Sequence, residues 1–220
     1  NIVVNIAQEM INNSRHLRSR AKVLRNVVHY KSSWYKSISA EAYTKHGLNC
    51  HGVIFDELHT QSDRDLWDVL TTSTGARRQP LVMALTTAGH DRASICYEVH
   101  EYAEKVRDGI IKDDSFLPVL YCADIDDDWT AEETWRKANP GYGTICRKDY
   151  FEQAVKNAKA NPSMVNSFLR LHLNIWTSAE TAWIPDDIWM KGDKQIPHDR
   201  LHTLPCYGGL DLASTQDLTA

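Results

Sequence analysis

Gly52-Val53-Ile54-Phe55-Asp56-Glu57 and Pro80-Leu81-Val82-Met83-Ala84-Leu85 are the stretches on which the fold turns. Each is a short apolar run, too short for a helix and opened by a turn-forming Gly or Pro, which is the pattern of a buried parallel strand. Between them Asp63 to Thr71, with Leu66, Trp67 and Leu70, reads as a helix. Beyond them Ser94 is a natural N-cap for a helix running to Arg107, because Ile95, Val99, Tyr102 and Val106 share one face and Gly109 can end it. Phe116 to Ala123 reads as a third strand. Strand, helix, strand, helix, strand predicts an α/β layer with a parallel sheet.

On the N-terminal side, Ile6, Met10 and Ile11 lie at helical spacing, and Val23 to Tyr30 and Ser37 to Ala40 read as short strands. On the C-terminal side the character changes after Asp124. The run Asp126-Asp127-Asp128 leads into Thr130 and Glu133 at capping-box spacing, so the acids are expected at a helix N-terminus rather than around a metal. Asn139-Pro140-Gly141 breaks that helix, and two more follow, Lys148 to Ala160 and Ser163 to Leu173. A loop with Trp176, Trp183 and Trp189 comes next, and Tyr207-Gly208-Gly209-Leu210-Asp211-Leu212 opens a new strand. The tryptophans read as core or interface anchors, because no regular basic and aromatic interleaving marks a single-strand channel.

Composition sets the bounds. The 220 residues are 42% hydrophobic and 25% charged, with 25 Lys+Arg against 29 Asp+Glu for a net charge of -4. These are globular values with enough apolar material for a core. Mean hydropathy is -0.46 and no run approaches the roughly 18 apolar residues of a membrane span, so a helical membrane protein is excluded. The five cysteines, Cys50, Cys96, Cys122, Cys146 and Cys206, are scattered without metal-knuckle or redox spacing and are expected as reduced thiols. Residues 1 to 36 hold seven Lys/Arg against one acid, Glu9, leaving a net -10 for the rest. Such a basic stretch is either a solvated face or a surface for a polyanion.

The strongest chemical signal is the end of the first apolar strand. In open α/β sheets, ligands bind at the carboxyl edge of the strands, and Asp56-Glu57 sits there. A nucleotide hydrolase needs one carboxylate to hold Mg²⁺ and another to orient and deprotonate water; Asp56 fits the first task and Glu57 the second. A strand ending in two solvated acids is the competing reading. The next strand ends in Thr86-Thr87-Ala88-Gly89, which brings two hydroxyls to the same edge, where they could sense a γ-phosphate.

Five blocks then occur in the order seen in large terminase subunits of tailed bacteriophages. They are Gly47 to His59, Gly75 to Leu81, Thr86 to Gly89, Ala138-Asn139-Pro140, and Gly209 to Ala213 with Asp217 to Ala220. The chain resembles that family over nearly its whole length. The resemblance implies an ATP-driven, DNA-packaging ATPase and nuclease. Residues 1–124 would be an incomplete P-loop ATPase sheet, 125–203 a helical connector, and 204–220 the first strands of a ribonuclease H-like nuclease. By position Asp56 and Glu57 match the Walker B pair and Thr86 and Thr87 the segment coupling hydrolysis to movement. Asp211 matches the first metal-binding, catalytic aspartate of the nuclease, with Asp217 a further metal candidate. The implied cofactors are ATP and Mg²⁺, with Mg²⁺ or Mn²⁺ at the nuclease. The implied partners are double-stranded DNA, the small terminase subunit, the portal protein and further copies of the chain in a ring, with no membrane. The implied location is the cytoplasm of an infected bacterium.

One departure is large. None of the ten glycines begins a G-x-x-x-x-G-K-[ST] phosphate loop, so the chain is expected to be the middle of a longer protein. An arginine finger could be any of Arg15, Arg18, Arg20, Arg25, Arg77 or Arg78. Three alternatives stay open: another P-loop DNA motor such as a helicase, a metal hydrolase using His46, His51 and His59, or a DNA- or protein-binding fragment without activity. His198 and His202 read as solvated.

Overall fold

The structure, a computed structural model, describes residues 2–38, 47–178, 191–192 and 205. Helix α1 (Ile2–Asn13) leads through Ser14 into the short α2 (Arg15–Arg18), with the Ser14 hydroxyl accepting from the Leu17 N–H. An antiparallel meander follows: β1 (Lys22–Leu24), β2 (Val27–Tyr30) and β3 (Ser33–Lys36). Val23 to Tyr30 is therefore not one strand but two, because Arg25 and Asn26 turn the chain back so that Leu24 pairs with Val27. The next strand ends at Lys36 instead of starting at Ser37; Ser37 and Ile38 lie outside it, and residues 39–46 lie outside the described part. Lys36 stacks its ammonium over the Trp34 ring at 4.4 Å.

The α/β unit contains β4 (Gly52–Asp56), α3 (Asp65–Thr72), β5 (Leu81–Leu85) and α4 (Ile95–Arg107). β4 and β5 are parallel in the register Val53↔Val82, Ile54↔Met83, Phe55↔Ala84 and Asp56↔Leu85, as a crossover through α3 demands. Val53 and Phe55 turn into a core with Leu58, Leu66, Leu70, Ile95 and Cys96, against which Trp67, Val82 and Val99 pack. The opposite face is open: Ile54, Leu81, Met83 and Leu85 are each 42 to 60% exposed. β5 is thus not the buried strand its composition suggests, because among the described residues the sheet has two strands and one covered face. α4 follows its signals closely, with the Ser94 hydroxyl accepting from the Tyr97 N–H and Gly109 at φ +73° closing the helix in the left-handed region.

Phe116 to Ala123 forms no strand. Pro118 has no N–H to give a ladder, and the segment is held at its end by Ala123 N–H donating to Leu173 O at 3.0 Å and Asn174 Nδ2 donating to Tyr121 O at 2.8 Å.

Three helices form the second half: α5 (Glu132–Ala138), α6 (Lys148–Ala160) and α7 (Val165–Leu173). The capping box before α5 is absent. Asp128 accepts from both the N–H and the hydroxyl of Thr130, each at 2.9 Å, which makes an Asx turn, and Ala131 is the N-cap. Asn139 ends α5 as its neighbour Pro140 requires, and its amide donates to Trp135 O and His172 O. Trp135, Tyr142, Phe151, Phe168 and His172 stack around one another, with Phe151 and Leu173 almost fully buried. The four described cysteines, Cys50, Cys96, Cys122 and Cys146, are free thiols. No described helix is long and apolar enough to cross a membrane.

Candidate functional site

The site is built where β4 and β5 end together. The Glu57 N–H donates to Leu85 O at 2.8 Å, continuing the ladder one residue past β4. Glu57 itself adopts φ 55°, ψ 56°, a left-handed conformation that a residue with a Cβ rarely takes. The turn survives because its carbonyl accepts from the N–H and the hydroxyl of Thr60, at 2.9 and 2.8 Å, and because Leu58 is buried beneath it. Backbone strain of this kind costs on the order of 1–3 kcal/mol and concentrates at functional sites.

The structure brings Glu57, Thr86 and Thr87 together and sets Asp56 beside them at the strand end. Their link is His59. Its Nδ1 lies 3.2 Å from Glu57 Oε2, 3.0 Å from Thr86 Oγ1 and 3.4 Å from Thr87 Oγ1, and its N–H donates to Thr86 Oγ1 at 3.0 Å. The Cys96 thiol approaches the same hydroxyl at 3.7 Å; burial pushes that thiol up from its ordinary value, and the Glu57 charge adds to the effect. Asp56 is exposed at the strand end, and its carboxylate accepts no side-chain hydrogen bond among the described residues. Its charge reaches Tyr35 of β3, whose phenol is pushed up first by burial and then by that charge.

Gly89 closes the Thr86–Gly89 turn against Trp176. A Cβ there would stand 2.8 Å from Trp176 Cζ3, so only glycine allows this approach. Trp176 also packs edge-on against Tyr97, with ring centroids 4.8 Å apart.

Of the arginines considered as fingers, Arg77 gives Nε and Nη2 to Asn49 O, at 3.1 and 2.7 Å, tying down the loop before β4. Arg15 and Arg18 lie on α2, Arg20 and Arg25 flank β1, and Arg78 lies before β5. His51 is exposed, His46 lies outside the described residues, and no group of three or more His, Cys, Asp or Glu among the described residues is placed to hold a metal. Asp211, Asp217, Trp183, Trp189, His198, His202 and Cys206 also lie outside the described residues. What the sequence reading missed is the bridging role of His59, which depends on a contact 27 residues away and has no local signature.

These features define a class: a mixed α/β chain with small sheets, a polar site at a parallel-strand edge and a helical second half. The family model for the terminase large subunit ATPase domain matches residues 1–105, and that for the terminase large subunit endonuclease domain matches residues 110–220. The chain belongs to the terminase large subunit family. It is 32% identical over 235 residues to the terminase large subunit of Enterobacteria phage HK97, covering 100% of this chain and 43% of that protein. It is also 32% identical over 175 residues to protein YmfN of Escherichia coli strain K12, covering 79% of this chain and 38% of that one. The crystal structure of the HK97 bacteriophage large terminase superimposes with a TM-score of 0.69 at 29% identity, over 80% of this chain and 37% of that chain. The chain therefore spans well under half the length of these relatives.

Proposed function

We propose that this chain is part of a viral DNA-packaging motor subunit that couples ATP hydrolysis to translocation of double-stranded DNA into the procapsid and cuts concatemeric DNA with a metal-dependent endonuclease. The observation that carries the reading is the strained Glu57 turn at the shared edge of β4 and β5, beside Asp56 and in contact through His59 with Thr86 and Thr87. Family membership supplies the two domain types.

In this reading residues 1–124 belong to a P-loop ATPase sheet, 125–203 to a helical connector and 204–220 to a ribonuclease H-like nuclease. Two separate core clusters, one around Phe55 and Leu58 and one around Phe151 and Leu173, support a division between the first two. Asp56 would hold the Mg²⁺ that accompanies ATP, and its exposed carboxylate, which accepts no side-chain hydrogen bond among the described residues, suits that task. The ion supplies charge neutralisation at the transferred phosphoryl group. Glu57 orients and deprotonates the attacking water. Thr86 and Thr87 register the state of the γ-phosphate and relay it. Asp211 and Asp217 serve the nuclease with Mg²⁺ or Mn²⁺. Double-stranded DNA, the small terminase subunit, the portal protein and sister copies in a ring are the partners, in the cytoplasm of the infected host.

Glu57→Gln tests the ATPase half. In a chain extended to include a phosphate loop, the amide keeps the shape of the carboxylate but removes the base, so ATP turnover should fall about 10²- to 10⁴-fold while nucleotide binding persists. Turnover at the parental rate would remove Glu57 from the mechanism.

A further inference from the structure

We propose that His59 is a positioning residue for the hydrolysis site: its imidazole fixes the Glu57 carboxylate and ties it to the Thr86–Thr87 segment. The proposal rests on the reading of Glu57 as the base and extends it to the residue that aims that base.

Proton accounting supports the link. Thr86 has one hydroxyl proton, and its Oγ1 donates to Thr87 O at 2.9 Å. The same oxygen is then an acceptor for the His59 N–H at 3.0 Å and for Nδ1 at 3.0 Å. Nδ1 also lies 3.2 Å from Glu57 Oε2, and an imidazole nitrogen next to a carboxylate oxygen needs a proton between them. His59 therefore carries its proton on Nδ1, shared between the carboxylate and the hydroxyls. The two side chains differ in setting: that of His59 is 16% exposed and that of Glu57 is 54% exposed. A packed ring thus grips one carboxylate oxygen, while Oε1 has no partner among the described residues and stays available to water. Because the His59 backbone is bonded to Thr86 as well, a shift of the segment after β5 moves the imidazole and with it the base. Catalytic groups displaced by about 1 Å lose on the order of 10²-fold in rate, so a single ring is enough to gate hydrolysis.

The test uses the extended chain with Mg·ATP and compares His59→Leu, which deletes the donor, with His59→Asn, whose amide N–H reaches a similar point. His59→Leu should lower kcat about 10- to 100-fold with KM for ATP within about twofold of parent, and His59→Asn should recover most of the loss. Thr86→Val deletes the hydroxyl that receives both His59 donors; it should lower kcat alone and add little to His59→Leu, because both cut one link. Parental kcat in His59→Leu, equal impairment of Leu and Asn, a loss confined to KM, or full additivity with Thr86→Val would each overturn the proposal. If Glu57→Gln itself hydrolysed ATP at the parental rate, the base assignment would fall first and this proposal with it.

Discussion

The two halves of the chain solve burial in opposite ways. In the α/β half, α3 and α4 cover only the Val53–Phe55 side of the sheet, and Ile54, Leu81, Met83 and Leu85 remain on an open apolar face. In the helical half, α5, α6 and α7 close around Phe151, Phe168 and Leu173, and although single apolar side chains such as Ile145 and Leu171 stay exposed, the helix surfaces carry ion pairs: Arg136 with Glu132, Lys148 with Glu132, and Lys137 with Asp124 and Asp127. A parallel sheet needs cover on both faces, whereas three amphipathic helices can bury their apolar sides against one another. The half that holds the candidate chemistry is thus the less self-sufficient one.

The largest effect should come from the closed half. Phe151 is 2% exposed and touches the rings of Trp135, Tyr142, Phe168 and His172. Phe151→Ala leaves a cavity that these rings cannot fill without breaking their stacking, at a cost of about 3–5 kcal/mol. Urea unfolding should show that loss, and hydrogen exchange should show it concentrated in α5, α6 and α7, with β4 and α3 retaining their protection. Equal loss of protection in both halves would mean that they unfold as one unit and would break the comparison.

The junction should respond next. Gly89 belongs to the α/β half and Trp176 follows α7, yet the two touch so closely that a Cβ at residue 89 cannot fit beside Trp176 Cζ3. Gly89→Ala should cost about 1–3 kcal/mol by overpacking. A second change, Trp176→Leu, should recover part of it, because the smaller side chain gives the methyl room. Thermal unfolding of the two single variants and the double reads this directly, and additive losses would show that the Gly89–Trp176 contact is not the coupling between halves.

Much of this organisation was legible where local signals agree. α6 runs from Lys148 to Ala160 as its periodicity predicts, and α4 runs from Ile95 to Arg107 between the Ser94 cap and Gly109 because each of those two residues performs a task the backbone needs. The β4–β5 pair was readable because two apolar runs separated by a helical spacer have few other arrangements. Where the sequence misled, the missing information was not local. Phe116 to Ala123 has strand composition, yet no described strand pairs with it. Thr130 and Glu133 have capping-box spacing, yet Asp128 reaches Thr130 first. The Asp56–Glu57 edge and its neighbours Thr86 and Thr87 could be placed from strand ends alone. His59 could not, because its meaning depends on which turn conformation Glu57 adopts.

The smallest effect should lie at the ionic clasp of the helical half. Lys137 on α5 donates to Asp124 at 2.5 Å and Asp127 at 2.6 Å, holding the acidic turn against the helix. Hydrogen bonds to Asp124 first, and then Asp127, push the ammonium up to about 12, while the bond from Lys137 holds Asp127 below the ordinary 3.8. For a depressed carboxyl, the stabilisation is present in full above 3.8 and is lost as pH falls through the depressed value. For the raised ammonium, it is complete below 10.5 and is lost only as pH rises through about 12. At neutral pH both contributions are therefore in place, and acid removes the first. Lys137→Met should lower the urea midpoint slightly at neutral pH, and the gap to the parent should close as the medium is taken well below 3.8. Added salt should narrow the gap too, since these groups are largely in water and their attraction is screened over about 10 Å at 0.1 M ionic strength. A gap that stayed constant through acid and salt would mean that Lys137 acts through its packed methylene stem rather than its charge, and the contrast between an ionic rim on one half and a bare sheet face on the other would have to be redrawn.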